Sequence, residues 1–212
     1  MKWGDAMEDV VDPDPQRSDD GTTAPTQVTD GALACVRFVE KKIGIALDFE
    51  VESLPLLDHY LRDARTGSPA QETIDLLASV AGCYFGEVVR ARYPMTWHAH
   101  DDEPLFWSLS TPSISIFPVA IARVTIENVQ AERRFEVFRF ARSLRAAVGR
   151  RLDGLPRVSD DEYTALSTRV EVIEIAFDVL AAATRTSDVH DHACCSCCAE
   201  QEEEERMVER EP

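Results

Sequence analysis

Residues 70 to 93 read AQETIDLLASVAGCYFGEVVRARY, and Pro94 follows directly. Apolar residues recur in this stretch every three to four positions, which is the spacing of one face of an α-helix. Proline has no backbone N–H and cannot continue a helix, so the helix must end before Pro94. We therefore predict one long helix over residues 70–93. Its apolar face comprises Ile74, Leu77, Ala81, Tyr84 and Val88.

Two glycines lie one turn apart inside this predicted helix, at Gly82 and Gly86. A glycine in a helix interior costs about 1 kcal/mol relative to alanine, so the fold must offset both of them. We expect that another backbone segment or an aromatic ring approaches the helix closely on this side.

The same spacing predicts helices on both sides of this one. The first predicted helix begins at Thr29 or Asp30 and ends near Gly44, and the second has Ser53 as its cap. After the long helix, a short one begins at Pro118, and two more cover residues 133–148 and 160–185. Ser159 and Glu162 have the spacing of a capping box at the start of the last helix.

Between Met95 and Ile116 the pattern changes to short, aromatic and alternating segments, with Asp101 to Pro104 as a turn. Alternation of this kind is typical of half-buried strands. No strand–helix–strand alternation is available for a parallel sheet. The sequence therefore predicts an α+β fold: a mostly helical single domain with a small three-stranded antiparallel sheet.

The net charge of −17 is concentrated at the two ends of the chain. Residues 1–30 carry −6 and residues 187–212 carry −7, whereas residues 31–186 carry only −4. Acidic segments without apolar periodicity are usually disordered, and they keep a protein off nucleic acid. We predict a disordered acidic arm over residues 1–28, the α+β domain over residues 29–186, and a disordered Cys/His- and Glu-rich tail over residues 187–212.

Two sequence properties bear on the compartment. No apolar run approaches the ~20 residues that a membrane-spanning helix needs. The sequence begins Met-Lys-Trp-Gly-Asp and is then acidic, unlike a secretory signal or a transit peptide. We expect a cytoplasmic protein without a membrane partner, in which the cysteines stay reduced.

The tail contains a dense cluster of soft metal ligands. Residues 190–198 read HDHACCSCC, and the candidate ligands are His190, His192, Cys194, Cys195, Cys197 and Cys198. Thiolates and imidazoles suit zinc or copper(I). Structural zinc sites usually join two ligand pairs that are a dozen or more residues apart, so this compact spacing predicts a labile chelating segment instead. The competing interpretation is a disordered tail whose cysteines are incidental.

A thiol-redox function of the tail is a further alternative. A reactive dithiol needs a nearby cation or helix N-terminus to lower the thiol pKa. The neighbours here are Asp188, Asp191 and the acidic residues from Glu200 to Glu205, which raise that pKa. The charges therefore favour chelation over redox exchange.

His98, His100 and the adjacent acids form a second polar cluster. Alternate residues of a strand face the same way, so both imidazoles could point at one metal, but a polar hairpin tip has the same pattern. An enzyme with a site near Glu87, Trp97 and His98 is a third functional hypothesis. No hydrolase, phosphate-loop or dinucleotide signature occurs in the sequence.

An arginine-rich stretch carries a net charge of +6 over residues 133–157. Arg139, Arg142 and Arg145 recur every three residues, so a helix would place them on one face. The acidity of the whole chain argues against nucleic acid as the partner. An acidic protein or the chain's own acidic tails fit better, and a solvated helix face is the alternative.

The middle of the chain resembles a group of uncharacterised bacterial domains over about residues 47–128. The residues that carry the resemblance are SL-x-x-LD-x-YL from Ser53, G-x-Y-x-GEV-x-R from Gly82, Trp97, IFP from Ile116, and Arg123. The resemblance implies a helix–hairpin–helix packing scheme and supplies no catalytic residues.

Taken together, these patterns predict a cytoplasmic bacterial protein that acts as a non-catalytic binding or interaction module. Its tail is a candidate soft-metal chelator. A metal-handling or thiol-redox protein that works through the tail, and an enzyme, are the alternatives.

Overall fold

The computed structural model of the chain describes residues 24–99, 103–128 and 137–185. The helices in these residues are α1 (Thr26–Ile43), α2 (Leu54–Thr66), α3 (Gln71–Arg92), α4 (Pro118–Glu127), α5 (Arg142–Asp153), α6 (Asp160–Thr164) and α7 (166–185). The strands are β1 (Thr96–His98), β2 (Ser108–Ser110), β3 (Ile114–Ile116) and β4 (Phe138–Phe140). The fold is α+β and mostly helical, as predicted. None of the helices in the described ranges is long and apolar enough to cross a membrane.

Helix α3 is the centre of the packing. It contacts α4 and α1 more extensively than any other pair of elements does. Nearly every residue from Leu77 to Val89 is buried, including both glycines. The long helix predicted over residues 70–93 is confirmed, and its burial extends well beyond a single apolar face.

The two glycines of α3 explain how its neighbours approach so closely. A Cβ atom at Gly82 would lie 2.6 Å from the backbone nitrogen of Val119, at the start of α4. A Cβ atom at Gly86 would overlap the ring of Trp97 on β1. Both expected partners, a backbone segment and an aromatic ring, are therefore present on this side of the helix.

The sheet has four antiparallel strands in the order β1-β2-β3-β4. The three strands expected between Met95 and Ile116 are present, but the prediction of a three-stranded sheet is wrong because β4 adds to the edge of β3. Phe138 pairs with Ile116 and Phe140 with Ile114. Residues 138–140 were expected in a helix from residue 133. Val137 and the Phe-Arg-Phe of β4 favour a strand and alternate as strands do, and the prediction extended the helical spacing of the following residues over them.

The helix predicted over residues 160–185 is broken at Ala165, which has an extended backbone conformation. The capping box at Ser159 and Glu162 is confirmed, but it opens only the five-residue helix α6. A new helix, α7, then begins at residue 166. Its first backbone N–H groups donate to the carboxylate of Asp58 on α2, and a contact so distant in sequence leaves no local signal.

Other predicted helix starts are close to the observed ones. Helix α1 begins at Thr26 rather than at Thr29 or Asp30, and Gly44 ends it in the left-handed conformation. Ser53 precedes α2 as expected, yet its hydroxyl does not cap the helix. It instead lies 2.7 Å from the hydroxyl of Tyr84 on α3, so it ties the start of α2 to α3.

Replacing Gly82 with alanine tests the close approach of α3 and α4. The added methyl group meets backbone atoms of Val119, which cannot rotate away. We expect the free energy of unfolding to fall by about 2–3 kcal/mol, despite the better helix propensity of alanine. Urea unfolding followed by circular dichroism measures the change.

Gly149→Ala in α5 is the matched control. A Cβ atom there meets nothing within 4 Å, so alanine should raise the free energy of unfolding by about 0.5–1 kcal/mol. A Gly82→Ala variant as stable as the wild type would refute the packing described here.

Candidate functional site

The sheet presents one apolar and one polar face. Trp97, Leu109, Ile114 and Ile116 are buried on the side of the core. The alternate residues lie on the opposite side, which we call the outer sheet face, and are half-buried or exposed. These are Thr96, His98, Ser108, Ser110, Ser115 and Arg139. The outer sheet face therefore carries mostly hydroxyl groups and ends at an arginine on β4.

The three predicted surface arginines do not share one helical face. Arg139 lies on β4, whereas Arg142 is the first residue of α5 and Arg145 follows one turn later. Arg139 and Arg142 are exposed, and Arg145 is half-buried. The structure nevertheless keeps the three arginines in one continuous strand-and-helix segment. We call Arg139, Arg142, Arg145, Arg150 and Arg151 the basic edge.

The segment that carries the basic edge has an excess of positive charge in its sequence. Residues 137–157 contain six arginines and a single acidic residue, Asp153. In the described part of the chain, the observed ion pairs involve none of Arg145, Arg150 and Arg151. The guanidinium carbon of Arg139 lies 5.3 Å from the centre of the Phe117 ring, which orients its side chain.

Glu87 and Trp97, two residues of the enzyme hypothesis, do meet. The indole nitrogen of Trp97 donates to Glu87 Oε1 at 2.7 Å, and Arg90 donates through Nε and Nη2 to both carboxylate oxygens at 2.9 and 2.7 Å. These bonds hold Glu87 in place as an acceptor. His98 follows Trp97 on β1 and points to the outer sheet face, away from Glu87. The geometry therefore does not assemble the three residues into one site.

Asp58 is a buried carboxylate that the sequence analysis did not single out. Its Oδ1 accepts from Leu166 N at 2.7 Å, and its Oδ2 accepts from Ser167 N at 3.1 Å and Ser167 Oγ at 2.7 Å. Burial raises the pKa of Asp58, and these hydrogen bonds offset only part of the rise. Asp58 lies in the apolar stripe of Leu54, Leu57 and Leu61, and an acid in such a stripe is the signal that would have revealed it.

A small cleft adjoins Asp58. Its lining includes Arg62, Arg65, Thr125 and Asp161. The space has room for about one water molecule, whereas metabolite-sized ligands occupy pockets of roughly 300–1,000 Å³. The cleft is therefore a narrow gap in the junction between α2, α4 and α6, too small for a metabolite.

Cys35 and Cys83 lie in the contact between α1 and α3. Both are free and buried, and burial raises the pKa of each thiol to about 12. A Cβ atom at Gly31 would lie 2.8 Å from Cys83 Sγ, so the sulfur fills space against α1. These thiols are packing groups, with almost no thiolate at neutral pH.

The predicted metal ligands from His190 to Cys198, and also His100, lie outside the described residues. Within residues 24–99, 103–128 and 137–185, no group of three or more His, Cys, Asp or Glu side chains is placed to hold a metal ion. The zinc or copper(I) site of the tail thus stays a prediction from sequence.

Comparison with protein-family models, with curated proteins and with solved structures found no match to this chain. The resemblance of about residues 47–128 to uncharacterised bacterial domains stays a prediction. Any function has to be inferred from the side chains described above.

Replacing Asp58 with asparagine tests the cap on α7. The amide nitrogen accepts no hydrogen bond, so asparagine cannot hold both Leu166 and Ser167, whereas a carboxyl group keeps acceptor capacity on both oxygens in either protonation state. We expect the free energy of unfolding to fall by about 2–3 kcal/mol at neutral pH. Asp63→Asn on the same helix breaks only the exposed pair with Lys42 and should cost less than about 1 kcal/mol.

The pH dependence of this difference has a definite sign. Because burial raises the pKa of Asp58, the folded protein holds the proton more tightly than the unfolded chain does. The advantage of the wild type over Asp58→Asn is therefore greatest below the ordinary aspartate pKa and shrinks as the pH rises through the raised pKa. Urea unfolding of both proteins across this range measures it, and an advantage that grows with pH would contradict the account.

Proposed function

We propose that this protein is a non-catalytic binding module that recognises an acidic polypeptide segment through the basic edge and the adjoining outer sheet face. The supporting observation is that β4 places Arg139 at the border of the hydroxyl-bearing face and leads directly into α5. Half-buried hydroxyl groups and exposed guanidinium groups therefore adjoin one another, and both donate hydrogen bonds to carboxylates.

The distribution of charge supports an acidic polypeptide over nucleic acid. The whole chain carries −17, so a nucleic acid that approached the basic edge would be repelled by the rest of the molecule. A short acidic segment needs to contact only the basic edge. The chain's own tail, with Glu202 to Glu205, has this chemistry and would compete with an acidic segment of a partner protein.

A peptide-binding experiment on the full chain tests this proposal. The host protein carries glutamine at Glu202, Glu203, Glu204 and Glu205, so that its own tail no longer competes. A fluorescent peptide with the sequence of residues 199–212 is titrated at low salt, and its anisotropy is measured. We expect saturable binding that Arg142→Gln with Arg145→Gln weakens about five- to tenfold, since two charge pairs are lost.

The control removes equal charge from another surface. Lys41→Gln with Lys42→Gln alters the exposed end of α1 and should leave the affinity unchanged within about twofold. Binding should also weaken as salt screens the charges. Equal losses in both double variants, or tighter binding of a DNA duplex than of the peptide, would refute the proposal.

We propose in addition that the tail chelates zinc or copper(I). The six clustered ligands are the main support, and the structure adds a second point. Burial raises the pKa of Cys35 and Cys83 to about 12, so these two thiols are poor ligands in the folded protein. Metal that the folded chain binds through thiolates should therefore depend on Cys194, Cys195, Cys197 and Cys198.

Metal analysis of the full chain tests the chelating tail. Protein purified without oxygen and with reductant is compared with a variant that has serine at the four tail cysteines. We expect stoichiometric zinc or copper in the wild type and none in the variant, which keeps Cys35 and Cys83. Equal metal content in the two proteins, or none in either after incubation with each metal, would contradict the prediction.

A further inference from the structure

Arg169 in the first turn of α7 is a buried cation with unused hydrogen-bond donors. The residue is only 3% exposed. Its Nε and Nη2 atoms are buried and have no hydrogen-bond partner. A buried charge without a paired acceptor is costly, and removing a guanidinium from water without replacing its hydrogen bonds is unusual in a stable fold.

Two aromatic rings hold the guanidinium but do not satisfy these donors. The ring centre of Tyr163 lies 4.2 Å from the guanidinium carbon, and that of Phe138 lies 5.9 Å from it. Rings attract a cation to their faces. The N–H groups of arginine lie in the plane of the guanidinium, and they need acceptors in that plane.

The two atoms without partners, Nε and Nη2, are a pair through which an arginine binds both oxygens of an oxyanion. Arg90 in the same protein uses its own Nε and Nη2 to hold the two oxygens of Glu87, at 2.9 and 2.7 Å. This edge of Arg169 has the same geometry and the same two donors. It therefore matches a group with two oxygens at carboxylate or phosphate spacing.

A second arginine also has a buried donor without an acceptor. In the part of the chain that the structure describes, the buried side-chain nitrogen or oxygen atoms without a partner all belong to Arg145 and Arg169. Arg145 lies on α5, which follows β4, and β4 supplies the Phe138 ring beside Arg169. Both arginines thus have buried N–H donors that lack acceptors.

We propose that the Nε–Nη2 edge of Arg169 binds an oxyanion, either a free phosphate or a carboxylate. The site does not depend on the proposed partner surface, because a small free anion can accept both N–H groups without a polypeptide partner. The bound oxygens would accept the two N–H groups in a dry setting, where such charge-assisted bonds are strong.

Thermal unfolding of the full chain tests the site. Wild type and Arg169→Met are melted in chloride buffer, and then with rising sodium phosphate or sodium acetate at constant ionic strength. A third arm adds the acidic peptide of residues 199–212. Methionine fills similar space without the charge, so in chloride alone the variant should melt at the same temperature or higher.

The expected result is a saturable rise in the wild-type melting temperature that Arg169→Met lacks, since only the folded wild type binds the anion. Lys41→Met at the exposed end of α1, outside the basic edge, serves as the control and should keep the full response. A rise with phosphate or acetate identifies a free anion as sufficient. A rise with the peptide alone identifies a carboxylate that a polypeptide supplies.

Two results would overturn the proposal. One is the absence of a saturable rise in every arm, or an equal rise in wild type and Arg169→Met. The other concerns Glu132 and Glu136, which precede β4 in the sequence and are a rival source of negative charge. If Arg169→Met and Glu132→Gln with Glu136→Gln each destabilise the protein equally in chloride, the counter-charge is internal.

Discussion

The close approach that Gly82 and Gly86 permit on one side of α3 determines where the rest of the domain lies. At Gly82 the backbone of α4 contacts the helix, and at Gly86 the ring of Trp97 covers it. The same ring donates its N–H to Glu87, one residue further along α3. One helical turn thus fixes both the start of α4 and the first strand of the sheet. The position of β4, and with it the start of the basic edge, follows from the antiparallel pairing of the strands.

A second constraint holds the end of the domain in place. Asp58 on α2 caps α7, and Thr125 on α4 donates to the carbonyl oxygen of Thr164 at 2.7 Å. These contacts interrupt the helix at Ala165, and a new helix begins at the next residue. They also place Arg169 in the first turn of α7, beside the rings of Tyr163 and Phe138. The environment of Arg169 therefore follows from the contacts of α2 and α4 with the interruption at Ala165.

Much of the architecture could be predicted from local patterns, and the failures have a common cause. Apolar spacing located α3, alternation located β1 to β3, and two unfavourable glycines pointed to a close contact before any contact was known. The strand β4 and the break at Ala165 were missed because each depends on a partner far along the chain. Residues 138–140 read Phe-Arg-Phe, which alternates as a strand does but is too short to stand out beside the helical spacing that follows, and the pairing with β3 makes it a strand.

The sequence predicted which arginines form the candidate surface but not how they are arranged. The sequence predicted Arg139, Arg142 and Arg145 as a group on one helix. Arg139 instead lies on β4, where it borders the hydroxyl groups of the outer sheet face.

Backbone amide chemical shifts of the full chain with the neutralised tail, recorded with and without the acidic peptide, test the resulting account most directly. Perturbations confined to β4, α5 and the residues of the outer sheet face are predicted. Perturbations centred on α1, or spread evenly over the domain, would contradict it.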